Sequence, residues 1–214
     1  MSRLDNVMKK IIKKIFDKNS PPVLIAEISA NHNGSIRNAK KLILTAKKNG
    51  ADIVKLQTYE PKNMTINNSK NDFLIKDGLW KGFKLWDLYK SAQTPLAWQK
   101  ELFDYAKKIK IPCFSTPYDD EGVDLLKKLN SQLYKISSFE MKDITLVEKI
   151  CKLKKPVIIS TGLCTKKEIK EIVSVVKKNS GKKIIFLKCV SAYPTPLSYS
   201  NLSLINIMKE DFKI

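Results

Sequence analysis

The sequence predicts an α/β protein of the (β/α)8 TIM-barrel type, truncated after about six βα units and preceded by an amphipathic helix. Short apolar runs alternate with helical stretches along most of the chain, which is the pattern of parallel βα units. Several runs end in polar side chains, and active sites of such barrels lie at the carboxyl ends of the strands. A doubly wound sheet is the alternative, but the chain has no G-x-G-x-x-G turn and its polar strand ends are not confined to one switch point.

Length and composition are those of an ordinary globular chain. The 214 residues are 43% hydrophobic and 29% charged, whereas a complete barrel takes ~250 residues. We therefore predict an extension over residues 1–21 and an incomplete barrel over residues 22–214, without its last strands. No apolar run approaches the ~20 residues that span a bilayer, and no secretory signal is present. The expected location is the cytoplasm.

The first 20 residues predict a basic amphipathic helix. Apolar residues such as Val7, Ile11 and Ile15 recur at helical spacing, with lysines largely on the other side. Packing against the protein's own fold or a partner subunit is favoured over an anionic membrane surface. Pro21 and Pro22 end the helix.

The remaining elements follow in regular alternation. Strands are predicted over residues 23–28, 52–58, 111–116, 133–138, 156–160 and 184–188, and helices over residues 36–48, 95–108, 120–129, 143–152 and 166–178. Asp143 is a predicted N-cap, and Thr165 with Glu168 has the spacing of a capping box. Residues 59–93 form a long excursion of the kind that is usually functional. Residues 211–214 are predicted to approach a seventh strand.

Charge and cysteine content narrow the classes of function. The net charge of +19 comes from 40 Lys and Arg against 21 Asp and Glu, which invites a nucleic-acid hypothesis. Nearly all of the excess is lysine on helical stretches, only Arg3 and Arg37 are arginines, and no nucleic-acid motif is present, so we predict no nucleic-acid partner.

The four cysteines include no C-x-x-C pair. We predict that they are reduced core cysteines, and Cys113 and Cys189 lie in strand-like runs.

The polar residues at the strand ends predict one anion site. They are Glu27, Lys55, Gln57, Thr116, Lys135, Ser138, Glu140, Ser160 and Ser191. Lys55 and Lys135 lie inside apolar strand runs, where a lysine needs a partner. Two lysines with several hydroxyls favour a phosphate or carboxylate cradle over a Schiff-base lysine. His32, the single histidine, is predicted to be hydrogen-bonded in its loop rather than to bind a metal.

The sequence resembles the sialic acid synthase family, whose enzymes condense phosphoenolpyruvate with an amino-sugar. The matching segments are IAEISANHNG (25–34), VKLQTY (54–59), FSTPYD (114–119), YKISSFE (134–140), ISTG (159–162) and SAYPTP (191–196). The variants SANHNG (29–34), LQTY (56–59), GLW (78–80) and KCVSAY (188–193) look most like the branch that makes pseudaminic acid.

The resemblance implies roles for the strand-end residues. Phosphoenolpyruvate would contact Lys55, Thr116, Lys135, Ser138, Ser160 and Ser191. The sugar would contact Gln57, Tyr193 and Glu140, and Glu27 and Glu140 are the candidate catalytic residues for handling the water and the proton. The family uses a divalent metal, Mn or Mg, whose histidine ligands would lie beyond Ile214. It forms homodimers, and its small C-terminal antifreeze-like domain is expected to be absent from residues 22–214. Position 191 is serine here where other branches carry asparagine.

The predicted function is therefore the condensation of phosphoenolpyruvate with a six-carbon 2,4-diacetamido-trideoxy sugar to give pseudaminic acid and phosphate. The expected activity of the 214-residue chain alone is low. Two alternatives remain open: an N-acetylneuraminate or legionaminate synthase, and a non-catalytic fragment or assembly subunit.

Overall fold

The computed structural model describes residues 3–17, 19–179, 184–192 and 194–213. The chain divides into two compact units, positions 1–131 and 132–214. In the described residues of each unit, three strands follow one another along the chain, and the pairs given by their register are parallel. Helices connect these strands, as parallel pairing requires.

The first unit holds strands β1 to β3 in the residues that the structure describes. Its elements are α1 (Arg3–Ile15), β1 (Ile25–Glu27), α2 (Ile36–Lys48), β2 (Ile53–Thr58), α3 (Pro61–Met64), a 3-10 turn (Asn71–Phe73), α4 (Leu85–Ala92), α5 (Leu96–Lys108), β3 (Cys113–Pro117) and α6 (Asp120–Lys128). Ile25 lies opposite Ile53, and Val54 lies opposite Cys113. This register brings the carboxyl ends of the three strands to one edge.

The core of the first unit forms where α2 and α5 meet the strands. Ala39 and Ile43 of α2, Leu102 of α5 and Leu56 of β2 are fully buried in one cluster. The alternation of strand side chains leaves Lys55 and Gln57 half-buried between fully buried neighbours. The two-residue repeat of a strand predicts that these two side chains point to the same side of β2, and the burial pattern confirms it.

The N-terminal helix is packed within the fold. Met8, Ile11 and Ile12 of α1 are at most 6% exposed, which fits the packing interpretation of its apolar face. Among the described residues, no helix is both long and apolar enough to span a membrane.

The second unit holds strands β4 to β6 in its described part. Its elements are β4 (Tyr134–Ile136), a 3-10 turn (Glu140–Lys142), α7 (Ile144–Lys152), β5 (Val157–Ser160), α8 (Lys166–Asn179), β6 (Ile184–Leu187), a 3-10 turn (Leu197–Tyr199) and α9 (Leu204–Phe212). Ile136 lies opposite Ile159, and Ser160 lies opposite Leu187. Every residue of β5 is buried, as in a strand covered on both faces.

Both predicted caps in the second unit are confirmed. The Asp143 carboxylate accepts a hydrogen bond from the main-chain N–H of Leu146 at 3.0 Å. Thr165 and Glu168 form the reciprocal capping box: the Thr165 N–H donates to Glu168 Oε2 at 2.6 Å, and the Glu168 N–H donates to Thr165 Oγ1 at 3.3 Å. These caps fix where α7 and α8 begin after their strands.

Five predictions need correction. α1 ends at Ile15, so Pro21 and Pro22 do not end this helix. Residues 211–213 continue α9 and its last turn instead of starting a strand, and Ile214 lies outside the described residues. Pro95 is the N-cap of α5, not its first residue. β6 ends at Leu187, so Cys189 lies beyond the strand. Residues 59–93, predicted as one long excursion, contain two short helices, α3 and α4, and a 3-10 turn.

Candidate active-site groups

The first unit gathers three of the predicted site residues at its strand ends. Lys55 on β2 forms an ion pair with Glu27 on β1, and its Nζ donates a hydrogen bond to Thr116 Oγ1 on β3 at 3.2 Å. The register places Glu27 directly opposite Lys55. The Lys55 side chain is only 12% exposed, so it has the partners that a lysine in an apolar strand needs.

Gln57 has a partner that the sequence analysis did not single out. Its amide Nε2 donates to the hydroxyl of Tyr118 at 3.2 Å. The Tyr118 ring packs edge-on against Tyr59, with 5.3 Å between ring centroids. Tyr118 follows Thr116 by two positions in FSTPYD, so the same polar strand end contained the signal for it.

His32 is a hydrogen-bonded loop residue, as predicted, and it is fully buried. The Gly34 N–H donates to its Nδ1 at 3.1 Å, and its Nε2 lies 3.3 Å from Thr94 Oγ1. Burial lowers the pKa of His32, which favours the neutral ring. Both ring nitrogens are therefore engaged by the protein itself.

The described residues do not fit a metal site. No group of three or more His, Cys, Asp or Glu side chains in the described ranges could hold a metal ion. His32 does not supply a free imidazole nitrogen, because both of its nitrogens have partners.

The second unit holds a second lysine–hydroxyl pair. Lys135 Nζ donates to Ser160 Oγ at 2.5 Å and to the Ile136 carbonyl at 2.8 Å. Lys135 lies on β4 and Ser160 ends the neighbouring strand β5. The arrangement repeats the pairing of Lys55 with Thr116 in the first unit.

Ser138 and Ser191 meet around Gly162. The Gly162 N–H donates to Ser138 Oγ at 3.1 Å. A β-carbon on Gly162 would lie 2.5 Å from Ser191 Oγ, so that hydroxyl occupies the space beside the glycine. Ser138 and Ser160 are each 8% exposed.

Glu140 has a carboxyl group with one oxygen withdrawn from solvent. Burial raises its pKa to about 7, and Asp143 adds to the rise, while a main-chain hydrogen bond and Lys135 oppose it. Its Oε2 is buried and has no hydrogen-bond partner among the described residues. A carboxyl group near half-protonation at neutral pH suits acid or base chemistry.

The raised pKa of Glu140 predicts a pH-dependent stability. Its ordinary pKa is 4.5 and its pKa in the folded chain is about 7, so the native state holds this proton more tightly than the unfolded state. This carboxyl therefore lowers the free energy of unfolding progressively as pH rises from about 4.5 to 7, with no further change above. We expect the melting temperature of Glu140→Gln, relative to that of the unmodified chain, to rise across this window.

Thermal melts at several pH values measure this difference. Glu171→Gln is the matched control, because Glu171 is exposed on α8 of the same unit. A difference that stays constant from pH 4.5 to 7 would show that Glu140 ionises as an ordinary carboxylate.

The predicted site residues thus form two sets, one in each unit. The first unit brings Glu27, Lys55 and Thr116 together and pairs Gln57 with Tyr118. The second brings Lys135 to Ser160, and Ser138 and Ser191 to Gly162. Tyr193 lies outside the described residues.

Comparison with known proteins decides the family. The model of the NeuB family matches residues 42–214. The chain belongs to the NeuB family. The predicted resemblance to the sialic acid synthases is confirmed by this match and by the relatives below.

Two curated relatives of this NeuB family chain are pseudaminic acid synthases. The one from Campylobacter jejuni subsp. jejuni serotype O:23/36 (strain 81-176) is 45% identical over 199 residues, which are 93% of this chain and 58% of that protein. The one from Helicobacter pylori (strain ATCC 700392 / 26695) is 43% identical over 182 residues, 85% of this chain and 54% of that protein. The chain therefore spans little more than half the length of these relatives.

A solved structure shows the fold class. The N-acetylneuraminic acid (sialic acid) synthetase from Leptospira borgpetersenii serovar Hardjo-bovis, in complex with citrate, matches 90% of this chain and 62% of its own, with a TM-score of 0.78 and 30% identity. The predicted fold class, a TIM-barrel type represented by about six βα units, is confirmed.

Proposed function

We propose that this chain is the substrate-binding part of an enzyme that condenses phosphoenolpyruvate with a six-carbon 2,4-diacetamido-trideoxy sugar to give pseudaminic acid and phosphate. One observation carries the proposal. In a chain 45% identical to a pseudaminic acid synthase, a lysine within a strand contacts a hydroxyl of the next strand twice, Lys55 with Thr116 and Lys135 with Ser160.

Each lysine pair, taken by itself, suits an anionic group such as those of phosphoenolpyruvate. Its phosphate and carboxylate need fixed positive charge and hydrogen-bond donors, and hydrogen bonds between ammonium groups and such oxygens are roughly twice as strong as neutral ones. Lys55 and Lys135 each contact oxygen acceptors at a strand end. Ammonium groups satisfy several acceptors at once with three N–H donors, so the contacts support anion binding over a Schiff base.

The proposed reaction forms one carbon–carbon bond and releases phosphate. C3 of phosphoenolpyruvate attacks the aldehyde carbon of the open-chain sugar, and a proton passes to the aldehyde oxygen. Water then adds at the cationic C2, loses a proton, and the tetrahedral intermediate expels inorganic phosphate. Glu140, whose pKa burial raises to about 7, is the proposed proton donor to the aldehyde oxygen.

Glu27 and Gln57 take the other proposed roles. Glu27 lies beside Lys55, where its carboxylate orients the ammonium and is available to the attacking water. Gln57 contacts the sugar, with its amide oriented by Tyr118. We also propose that the complete enzyme uses a divalent metal, whose ligands would come from outside residues 1–214, and that the reaction takes place in the cytoplasm.

A turnover assay tests the proposal. The purified chain is given phosphoenolpyruvate and the diacetamido sugar, alone and with the remaining C-terminal part of the C. jejuni synthase as a separate polypeptide. We expect phosphate release and a nine-carbon acid, detected by mass, in the complemented mixture. The control, Lys48→Met on the exposed end of α2, should leave the rate unchanged.

The alternatives predict different outcomes of the same assay. Product formed faster from a sugar with a single acetamido group would favour an N-acetylneuraminate synthase. No product in either mixture, with full activity of the intact C. jejuni enzyme, would favour a non-catalytic assembly subunit. The higher identity to the pseudaminic acid synthase, 45% against 37% for an N,N'-diacetyllegionaminic acid synthase and 30% for the neuraminic acid synthetase, supports pseudaminic acid as the product.

A further inference from the structure

Gly162 touches two of the proposed anion-binding serines of the second unit. Its main-chain N–H donates to Ser138 Oγ at 3.1 Å. A β-carbon at this position would lie 2.5 Å from Ser191 Oγ, so Ser191 approaches the bare α-carbon. Ser160, the partner of Lys135, lies two positions earlier at the end of β5.

The requirement for glycine at position 162 is space. Gly34 has a φ of +68°, in the left-handed region, whereas the φ of Gly162 lies outside that region. The φ of Gly162 therefore does not by itself require glycine. A side chain would, however, meet Ser191 Oγ at 2.5 Å, Cys189 Cβ at 3.0 Å and the Cys189 carbonyl oxygen at 3.1 Å.

The neighbouring backbone is anchored, so the crowding is not easily relieved. The Thr161 N–H donates to the Leu187 carbonyl at 3.0 Å, and Thr161 Oγ1 donates to the same oxygen at 2.9 Å. These two bonds fix the end of β5 against the end of β6. The atom that yields first to a new β-carbon is then the Ser191 hydroxyl, since it turns about a single bond.

We propose that Gly162 is a positioning residue for the anion site. Its N–H orients the Ser138 hydroxyl, and its missing side chain admits the Ser191 hydroxyl beside it. The two serines come from β4 and β6 loops that are far apart in sequence, and the glycine between them sets their common position. This inference rests on the proposed function, because it assigns these hydroxyls to phosphoenolpyruvate.

The expected effect of Gly162→Ala is a loss of affinity for phosphoenolpyruvate of about tenfold, the size that follows from misplacing one or two hydrogen-bonding hydroxyls. If the glycine acts through Ser191, the loss from Gly162→Ala shrinks to about threefold or less in a Ser191→Ala background. Contacting residues show such coupling, while independent ones add.

Calorimetric titration with phosphoenolpyruvate and with inorganic phosphate measures this coupling in a double-mutant cycle. The four proteins are the full 214-residue chain, Gly162→Ala, Ser191→Ala and the double variant Gly162→Ala/Ser191→Ala. Thermal melts accompany each variant, and Gly162→Ala/Ser191→Gly removes both the hydroxyl and the β-carbon at 191 to relieve crowding. That double variant should regain part of the melting temperature, since the Cys189 contacts remain, and should bind as weakly as Ser191→Gly alone. A purely structural glycine would instead weaken binding in Gly162→Ala only as far as the melting temperature falls.

Two results would overturn the inference. Additive losses in the cycle, or full affinity of Gly162→Ala beside a weakened Ser191→Ala, would remove the positioning role and leave the proposed function standing. No binding of either anion by the unmodified chain, with the melt of a folded protein, would overturn both the anion site and the role of Gly162 within it.

Discussion

Replacing Lys135 by methionine is expected to weaken phosphoenolpyruvate binding at least about a hundredfold. Lys135 presents its ammonium at the end of β4, in contact with Ser160 Oγ and the Ile136 carbonyl. A hydrogen bond to a charged group contributes about 1.5–3 kcal/mol, and a divalent anion would use more than one such interaction. A loss near 3 kcal/mol corresponds to a factor of about a hundred.

Methionine is chosen because it keeps the shape of the strand. The stem of a lysine packs as an apolar chain, and Tyr134 and Ile136 on either side are buried. Methionine has a similar unbranched length, so the main change is the loss of the ammonium. Lys135→Arg keeps the charge but changes the geometry, and it should retain part of the affinity.

Titration calorimetry with phosphoenolpyruvate measures the effect. Lys178→Met is the matched control, since Lys178 is exposed in the last turn of α8 and its loss changes the net charge equally. We expect the control to bind within about twofold of the unmodified chain, because exposed charges are screened by salt. Equal losses in both variants would show that general positive charge, rather than Lys135, attracts the ligand.

The sequence was sufficient to predict the strand-end residues because two simple patterns, apolar runs and the two-residue repeat of a strand, govern them. Apolar runs marked the strands, and the two-residue repeat placed Lys55 and Gln57 on one side of β2, as observed. Parallel strands end at a common edge, so Glu27, Lys55 and Thr116 were expected to be neighbours. Their contacts follow directly from the register of β1, β2 and β3.

The roles of Tyr118 and Gly162 could not be predicted in the same way. Tyr118 contacts Gln57 across 61 positions of sequence, and Gly162 meets Ser191 beside a neighbouring strand. Both contacts depend on how two loops approach each other after their strands end. No periodicity in the chain encodes that approach, although both residues lie in segments with polar strand ends.

Residues 211–213 show tertiary contacts overriding a local pattern. The alternation of Asp211, Phe212 and Lys213 is compatible with a strand. In the structure Asp211 forms an ion pair with Lys166 at 2.7 Å, and Lys177 donates to the Phe212 carbonyl at 3.1 Å. These contacts with α8, together with the burial of Phe212, hold this segment as the end of a helix.

Glu140→Gln is expected to lower kcat by about 10²–10⁴-fold in the complemented synthase, the range of a lost general acid. The sequence identified Glu140 by its place after β4. Whether its carboxyl group is protonated near neutral pH depends on burial, which raises its pKa. The carboxyl has a pKa of about 7 and an Oε2 without a partner in the described chain. Glutamine keeps the size and hydrogen-bonding shape but has no carboxyl proton to donate.

The pH profile separates this role from a structural one. If protonated Glu140 donates to the aldehyde oxygen, kcat of the unmodified enzyme falls as pH rises through about 7, because the acid form is lost with the pKa that burial raises. The residual kcat of Glu140→Gln should be flat over that range, while Glu171→Gln, changed at an exposed carboxylate of α8, should keep both the rate and the descending limb. Binding of phosphoenolpyruvate should change little in Glu140→Gln, since Lys135 and the serines are the proposed binding groups.

Two outcomes would contradict this role of Glu140. A fall of kcat with rising pH that survives in Glu140→Gln would assign the proton to another group. A parallel loss of affinity and kcat would make Glu140 a binding residue instead of an acid.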